Sequence, residues 1–256
     1  MRTNPVKTRL AQGETVFGTM IFEFLSPGLP RMLANSGADF VFYDLEHSGF
    51  TIEEMKTQFA LCAGVGVIPL ARPPGKDYQF TSRLLDVGAF GMLYQMVESA
   101  EEAEELVRWN RYPPAGMRGA IFGGAHDDYT GGDIADKVEA AMGRTFTTVL
   151  IETQAGLENI DAIMAVDGID AAHLGHADMS LSMGIPGQFD HPDLQRAVDT
   201  IADTASRHGK VAATLAPTPE WGHDFMERGY RMISYSHDMA LVTDALSAGI
   251  NALKRT

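Results

Sequence analysis

The sequence predicts a closed (β/α)8 barrel, an α/β TIM barrel, formed by one domain spanning residues 1–256. Three observations carry that expectation. Eight short apolar or β-branched runs alternate with eight helix-like segments. The length suits a barrel, which uses about 250 residues as one unit. The first run leads into Phe22-Glu23-Phe24-Leu25-Ser26-Pro27, without the Gly-rich phosphate turn expected of an open doubly wound sheet.

Residues 16–22 form the first expected strand, and 27–34 the helix after it. Residues 39–44 form the second, followed by Thr51 as an N-cap with Glu54 at the capping-box position. Strands are expected at 67–71 and 91–94, with helices at 80–87 and 101–109, the latter capped by Ser99. The acidic run from Glu101 to Glu105 reads as a solvated helix start that complements the dipole. The remaining strands are 147–151, 169–174, 211–215 and 232–235, and the remaining helices 156–166, 192–207, 219–228 and 241–253. Residues 111–132 break the rhythm with a Gly- and Pro-rich stretch holding His126, Asp127, Asp128 and Tyr129. Loops this long inside a barrel are usually functional. An exposed polar loop that shapes a substrate pocket is expected, with a second cation site as the alternative.

The formal net charge of −14 argues against nucleic acid and anionic membranes as partners. It also means that an anionic substrate needs a local cation. The one cysteine, Cys62, sits on an apolar helix face and reads as a small buried residue, with no intramolecular disulfide open to it. No run approaches the ~18 apolar residues of a membrane span, and residues 1–10 are polar and basic, so a cytoplasmic location is expected.

Barrel chemistry sits where strands end. The second strand ends in Asp44-Leu45-Glu46-His47, the third in Arg72, the fifth in Glu152, and the sixth runs into Gly175-His176-Ala177-Asp178. Glu152 and Asp178 come from adjacent strands with no cysteine nearby, a pattern that favours a hard divalent ion in an oxygen shell. Two protein ligands leave positions for water and for a substrate that chelates through a carboxylate and a keto oxygen. Such a metal acts as a Lewis acid on a 2-oxo acid when the neighbouring C–C bond breaks. Arg72 is placed to add a second cation beside the developing oxyanion. His47 is the candidate general base, oriented by Asp44 or Glu46. Schiff-base chemistry is disfavoured because none of Lys7, Lys56, Lys76, Lys137, Lys210 and Lys254 falls at an expected strand C-terminus.

At these residues the chain resembles the HpcH/HpaI aldolase family of class II, pyruvate-dependent aldolases. The resemblance runs from about residue 5 to residue 250 and rests on Asp44-Leu45-Glu46-His47, Ala71-Arg72-Pro73, Leu84-Leu85-Asp86-Val87-Gly88, Arg111-Tyr112-Pro113-Pro114, Ile151-Glu152-Thr153 and Gly175-His176-Ala177-Asp178. It implies Glu152 and Asp178 as metal ligands, with Mg²⁺, Mn²⁺ or Co²⁺ as the metal. It implies Arg72 against pyruvate, His47 with Asp44 for proton handling, and Asp86 as a polar residue near the site. Backbone amides from Gly175 through His176 and Ala177 to Asp178 are implied to hold the 2-oxo acid carboxylate. A hexamer that exchanges C-terminal helices is also implied. Three departures stand out. Leu150 replaces the usual glutamine beside bound pyruvate, His176 replaces a proline, and Gly119 to Gly124 differs from the usual loop.

Two other functions compete: a related barrel lyase acting on an acyl-CoA thioester, and a non-catalytic binder of 2-oxo acids. Among the other histidines, His173 reads as a buried structural residue and His237 as a rim residue open to substrate contact. His191, His208 and His223 fall at expected helix ends, where cap or surface roles are usual. His176 is open between substrate contact and an exposed loop role.

Overall fold

The computed structural model describes residues 1–255. Its eight parallel strands close in sequence order into one barrel: β1 (Val16–Ile21), β2 (Phe40–Asp44), β3 (Ile68–Arg72), β4 (Gly91–Tyr94), β5 (Phe146–Ile151), β6 (Ala171–Leu174), β7 (Val211–Ala216) and β8 (Met232–His237). The expected fold class is therefore the observed one.

Helices run in the order α1 (Pro5–Ala11), α2 (Leu29–Asn35), α3 (Ile52–Ala63), α4 (Tyr78–Asp86), α5 (Ala100–Asn110), α6 (Ile134–Arg144), α7 (Gln154–Glu158), α8 (Ile160–Ala165), α9 (His176–Ser182), α10 (Pro192–Arg207), α11 (Pro219–Glu227) and α12 (Asp238–Leu253). Their starts follow local chemistry. Thr51 and Glu54 form the expected capping box, and the Ser99 and Thr218 side chains accept from first-turn amides. Four features depart from the sequence reading. Asn4 caps an N-terminal helix that begins with Pro5. Residues 134–144 form α6 behind an Asp133 cap. The single helix expected at 156–166 breaks at Asn159 into α7 and α8. The segment expected as a loop after β6 is the short helix α9.

Alternation along each strand sorts its side chains into two layers. Phe40 and Phe42 of β2, Ile68 and Leu70 of β3, and Phe146 and Leu150 of β5 pack inside the barrel. Val41, Tyr43, Ala71, Val149 and Ile151 face the helices. The inner rows continue at two-residue steps to Asp44, Arg72 and Glu152, so the pleat that fills the core also delivers these three polar residues to one end.

The long connection after α5 is the main surprise. Instead of an exposed polar loop, His126 and Asp127 are fully buried, because α6 supplies Lys137 and Arg144 as partners. At the other extreme, α12 is apolar and stands off the barrel. Leu241, Val242, Leu246, Ile250 and Leu253 are all exposed, and Asp238 is its one buried residue. Among the described residues no helix is long and apolar enough to cross a membrane.

Candidate active site

Asp44 and Arg72 are register partners at the ends of β2 and β3, and their side chains form a buried ion pair. Arg72 Nε also lies 3.2 Å from Glu46 Oε2, so one guanidinium bridges two carboxylates. The free Oδ1 of Asp44 accepts from the His47 amide at 2.6 Å. That bond fixes the turn after β2 and leaves the His47 ring largely exposed at the mouth, 3.6 Å from Glu46.

Glu152 follows β5 directly and is almost completely buried. Its Oε1 accepts from the Met96 amide at 2.9 Å, with Met96 held at φ +47° in the turn after β4. Its other oxygen lies against Gly175, where a Cβ would come within 2.5 Å of Oε2. Gly175 is therefore required for close approach. Burial pushes the Glu152 carboxyl up to about 7, the Met96 amide opposes the shift, and the charge of Asp178 adds to it. Asp178 lies in the first turn of α9. Both carboxylates line a cleft of about 330 Å³, together with Glu46, His47, Met96, Thr153, Leu181 and Ser182.

Two carboxylates that face one cleft, with the charge of Asp178 adding to the cost of ionising Glu152, form a hard-cation donor set. Among the described residues no group of three or more His, Cys, Asp or Glu gathers as a metal cluster. The protein would supply two oxygen ligands, and water and substrate the rest, so the residues present fit a divalent metal.

The other candidates divide. The Gly175 amide is bonded to the Ile151 carbonyl at 3.2 Å, so Gly175 contributes its missing side chain rather than a free donor. The amides of His176, Ala177 and Asp178 open α9 and form the first-turn donors that have no intrahelical acceptor. The His176 ring packs 5.3 Å from both Phe189 and Trp221, away from a simple exposed-loop role. Leu150 is buried in the barrel interior below Glu152. His173 is the buried structural residue expected; its Nδ1 is 3.1 Å from the Leu174 carbonyl, and burial depresses its ring to about 3. His237 ends β8, caps α12 by accepting from Ala240, and packs edge-on to Phe22, whose ring lies 5.7 Å from the Arg72 guanidinium. Within the chain Asp86 does not join this group. It is the last residue of α4, a helix that runs back from the rim, and it pairs with Arg118 at 2.7 Å. Sequence reasoning missed Met96, Phe189 and Trp221, since a backbone donor and a ring stack between separate elements leave no local pattern.

Residues 22–245 match the family described as HpcH/HpaI aldolase/citrate lyase. The chain is 32% identical to a 2-keto-3-deoxy-L-rhamnonate aldolase of Klebsiella pneumoniae, over 98% of this chain and 94% of the relative. It is 35% identical to a hydroxypyruvate/pyruvate aldolase of Roseobacter denitrificans, over 93% of each. A crystal structure of an HpcH/HpaI aldolase from Desulfitobacterium hafniense superposes with a TM-score of 0.94 at 32% identity, covering 98% of this chain and 96% of that one.

Proposed function

Because the chain belongs to the HpcH/HpaI aldolase/citrate lyase family, and so is a carbon–carbon lyase of aldolase type, we propose that it joins or cleaves a 2-oxo acid of pyruvate type and an aldehyde at the cleft between Glu152 and Asp178. The observation that carries this reading is the pairing of those two carboxylates beside the buried Arg72.

Glu152 and Asp178 would hold the metal, Mg²⁺, Mn²⁺ or Co²⁺, which when bound supplies Lewis acidity to the keto group of the 2-oxo acid. The remaining roles belong to the chain. The first-turn amides of His176, Ala177 and Asp178 offer donors to the substrate carboxylate, a use suited to the positive end of a helix. Arg72, immobilised by Asp44 and Glu46, points a fixed cation toward an enolate oxygen and needs no reorganisation as charge develops. His47, exposed at the mouth with its backbone pinned by Asp44, takes the proton from the aldol hydroxyl in cleavage and returns it in synthesis. Leu150 beneath Glu152 makes the floor under the 2-oxo acid apolar. Asp86 would take part only through another subunit. The exposed apolar residues of α12 support a homo-oligomer, with the hexamer as the expected form. Cys62 is buried and unpaired, which suits the reducing cytoplasm.

Deuterium exchange at the pyruvate methyl, followed by NMR, tests the reading. Exchange is expected with added Mg²⁺ or Mn²⁺. It should disappear with a chelator and in Glu152→Ala. Exchange that survives both treatments removes the proposal.

A further inference from the structure

Away from the rim, at the opposite end of the barrel, the segment between α5 and α6 covers an unusual buried cluster. Ten buried side-chain polar atoms lack a hydrogen-bond partner among the described residues, and six of them lie here: Tyr112 Oη, Arg118 Nε, both ring nitrogens of His126, Asp127 Oδ1 and Arg144 Nη1. Buried polar groups are normally satisfied, so such a concentration calls for a missing partner.

The groups form one connected shell. Arg118 stacks 4.8 Å from the Tyr112 ring, Phe122 lies 5.7 Å from Tyr112 and 6.0 Å from His126, and Arg144 donates to the His126 carbonyl. Arg144 also packs 4.4 Å from Phe90, which carries Arg2 at 5.1 Å.

The charges do not cancel. Arg118 pairs with Asp86, Lys137 with Asp127 and Arg2 with Asp128, and Arg144 has no carboxylate partner among the described residues. Four cations against three carboxylates leave one positive charge, inside a chain whose net charge is −14. A buried cation without a counterion is costly. Burial first, then Arg2 and Arg118, pull the Arg144 guanidinium down to about 10.

Of the six unpartnered atoms, three are N–H or O–H donors of Arg118, Arg144 and Tyr112, and the neutral His126 ring supplies a fourth donor from one of its nitrogens. Donors in excess, together with one surplus positive charge, describe the complement of a small monoanion. A groove of about 870 Å³ between α1 and α6, lined by Arg2, Lys7 and Arg144 and by the carboxylates Asp136 and Glu139, brings solvent as far as Arg144. We infer that the shell formed by Tyr112, Arg118, His126 and Arg144 is a binding site for a small monoanion of halide or carboxylate size, outside this chain's own reaction cleft and serving to lock the segment between α5 and α6.

The test replaces sodium gluconate, too large to enter a buried shell, with sodium chloride, bromide or formate at constant ionic strength, and follows thermal unfolding of the full chain. At ten times Kd, a Tm rise of about 3–6 °C is expected for a domain of this size. Tyr112→Phe, which keeps the ring and removes one donor, should shift the response to higher anion concentration. Arg144→Met should abolish it. In crystals grown with bromide, an anomalous peak is expected within reach of Arg118 and Arg144. Equal Tm in all salts for wild type and Tyr112→Phe, with no bromide peak, would mean that water alone fills the shell and would overturn the inference. Pyruvate exchange is unaffected by either outcome, so the lyase reading stands or falls separately.

Discussion

Gly175 and Glu152 touch: a Cβ at position 175 would sit 2.5 Å from Glu152 Oε2 and 2.7 Å from its Cβ. Neither neighbour has room to give, because the other carboxylate oxygen is held by the Met96 amide. Gly175→Ala is therefore expected to swing Glu152 out of position while leaving both carboxylates in the chain. Divalent-cation affinity should fall by about 10- to 100-fold, the usual range for losing support around a ligand. Calorimetric titration with Mn²⁺ checks this, and unchanged affinity would refute the assigned role.

Arg72 bridges Asp44 and Glu46 through a planar fork that lysine does not reproduce. Arg72→Lys should lower kcat by about 10²- to 10³-fold, the range for losing one oxyanion donor. It should also lower thermal stability, since Asp44 is buried with one partner fewer. Steady-state kinetics and a melting curve on the same variant separate the two effects.

His173 makes stability depend on acid. Its folded-state value of about 3 lies below the ordinary value of 6.5, chiefly through burial. Below pH 6.5 the unfolded chain binds a proton that the folded chain refuses, so stability falls as pH falls, and the loss ends near pH 3. The slope approaches about 1.4 kcal/mol per pH unit for one group. Over the same window the raised Glu152 carboxyl acts in the opposite sense, so the His173 share is read by difference: between pH 7 and pH 5, urea unfolding of His173→Gln should change less towards instability than that of wild type.

The outer face of α12 exposes Leu246 and Ile250 in the isolated chain. Introducing charge with Leu246→Asp and Ile250→Asp is expected to reduce the solution mass to that of a smaller species, measured by light scattering after size exclusion. An unchanged mass would remove the assembly expected through this helix.

What the sequence disclosed and what it hid follow from range of interaction. Strand runs such as Phe40–Asp44 are legible because alternation and β-branching act locally, and the same alternation extends to Asp44, Arg72 and Glu152. The burial of His126 and Asp127 is not local. It depends on Lys137 and Arg144, carried by a helix whose buried face is only Lys137, Ala141 and Arg144 and so shows no apolar stripe. Asp86 illustrates a different limit. A motif match names a residue without saying to which end of the barrel its helix carries it.

The hold on Glu152 comes from the main chain at Met96, whose side chain is half exposed and lines the cleft. Position 96 can therefore change its side chain without disturbing the carboxylate it orients, proline excepted. Selection on what the cleft admits has a lining residue to work with there, and the hold on Glu152 need not be rebuilt each time that residue changes.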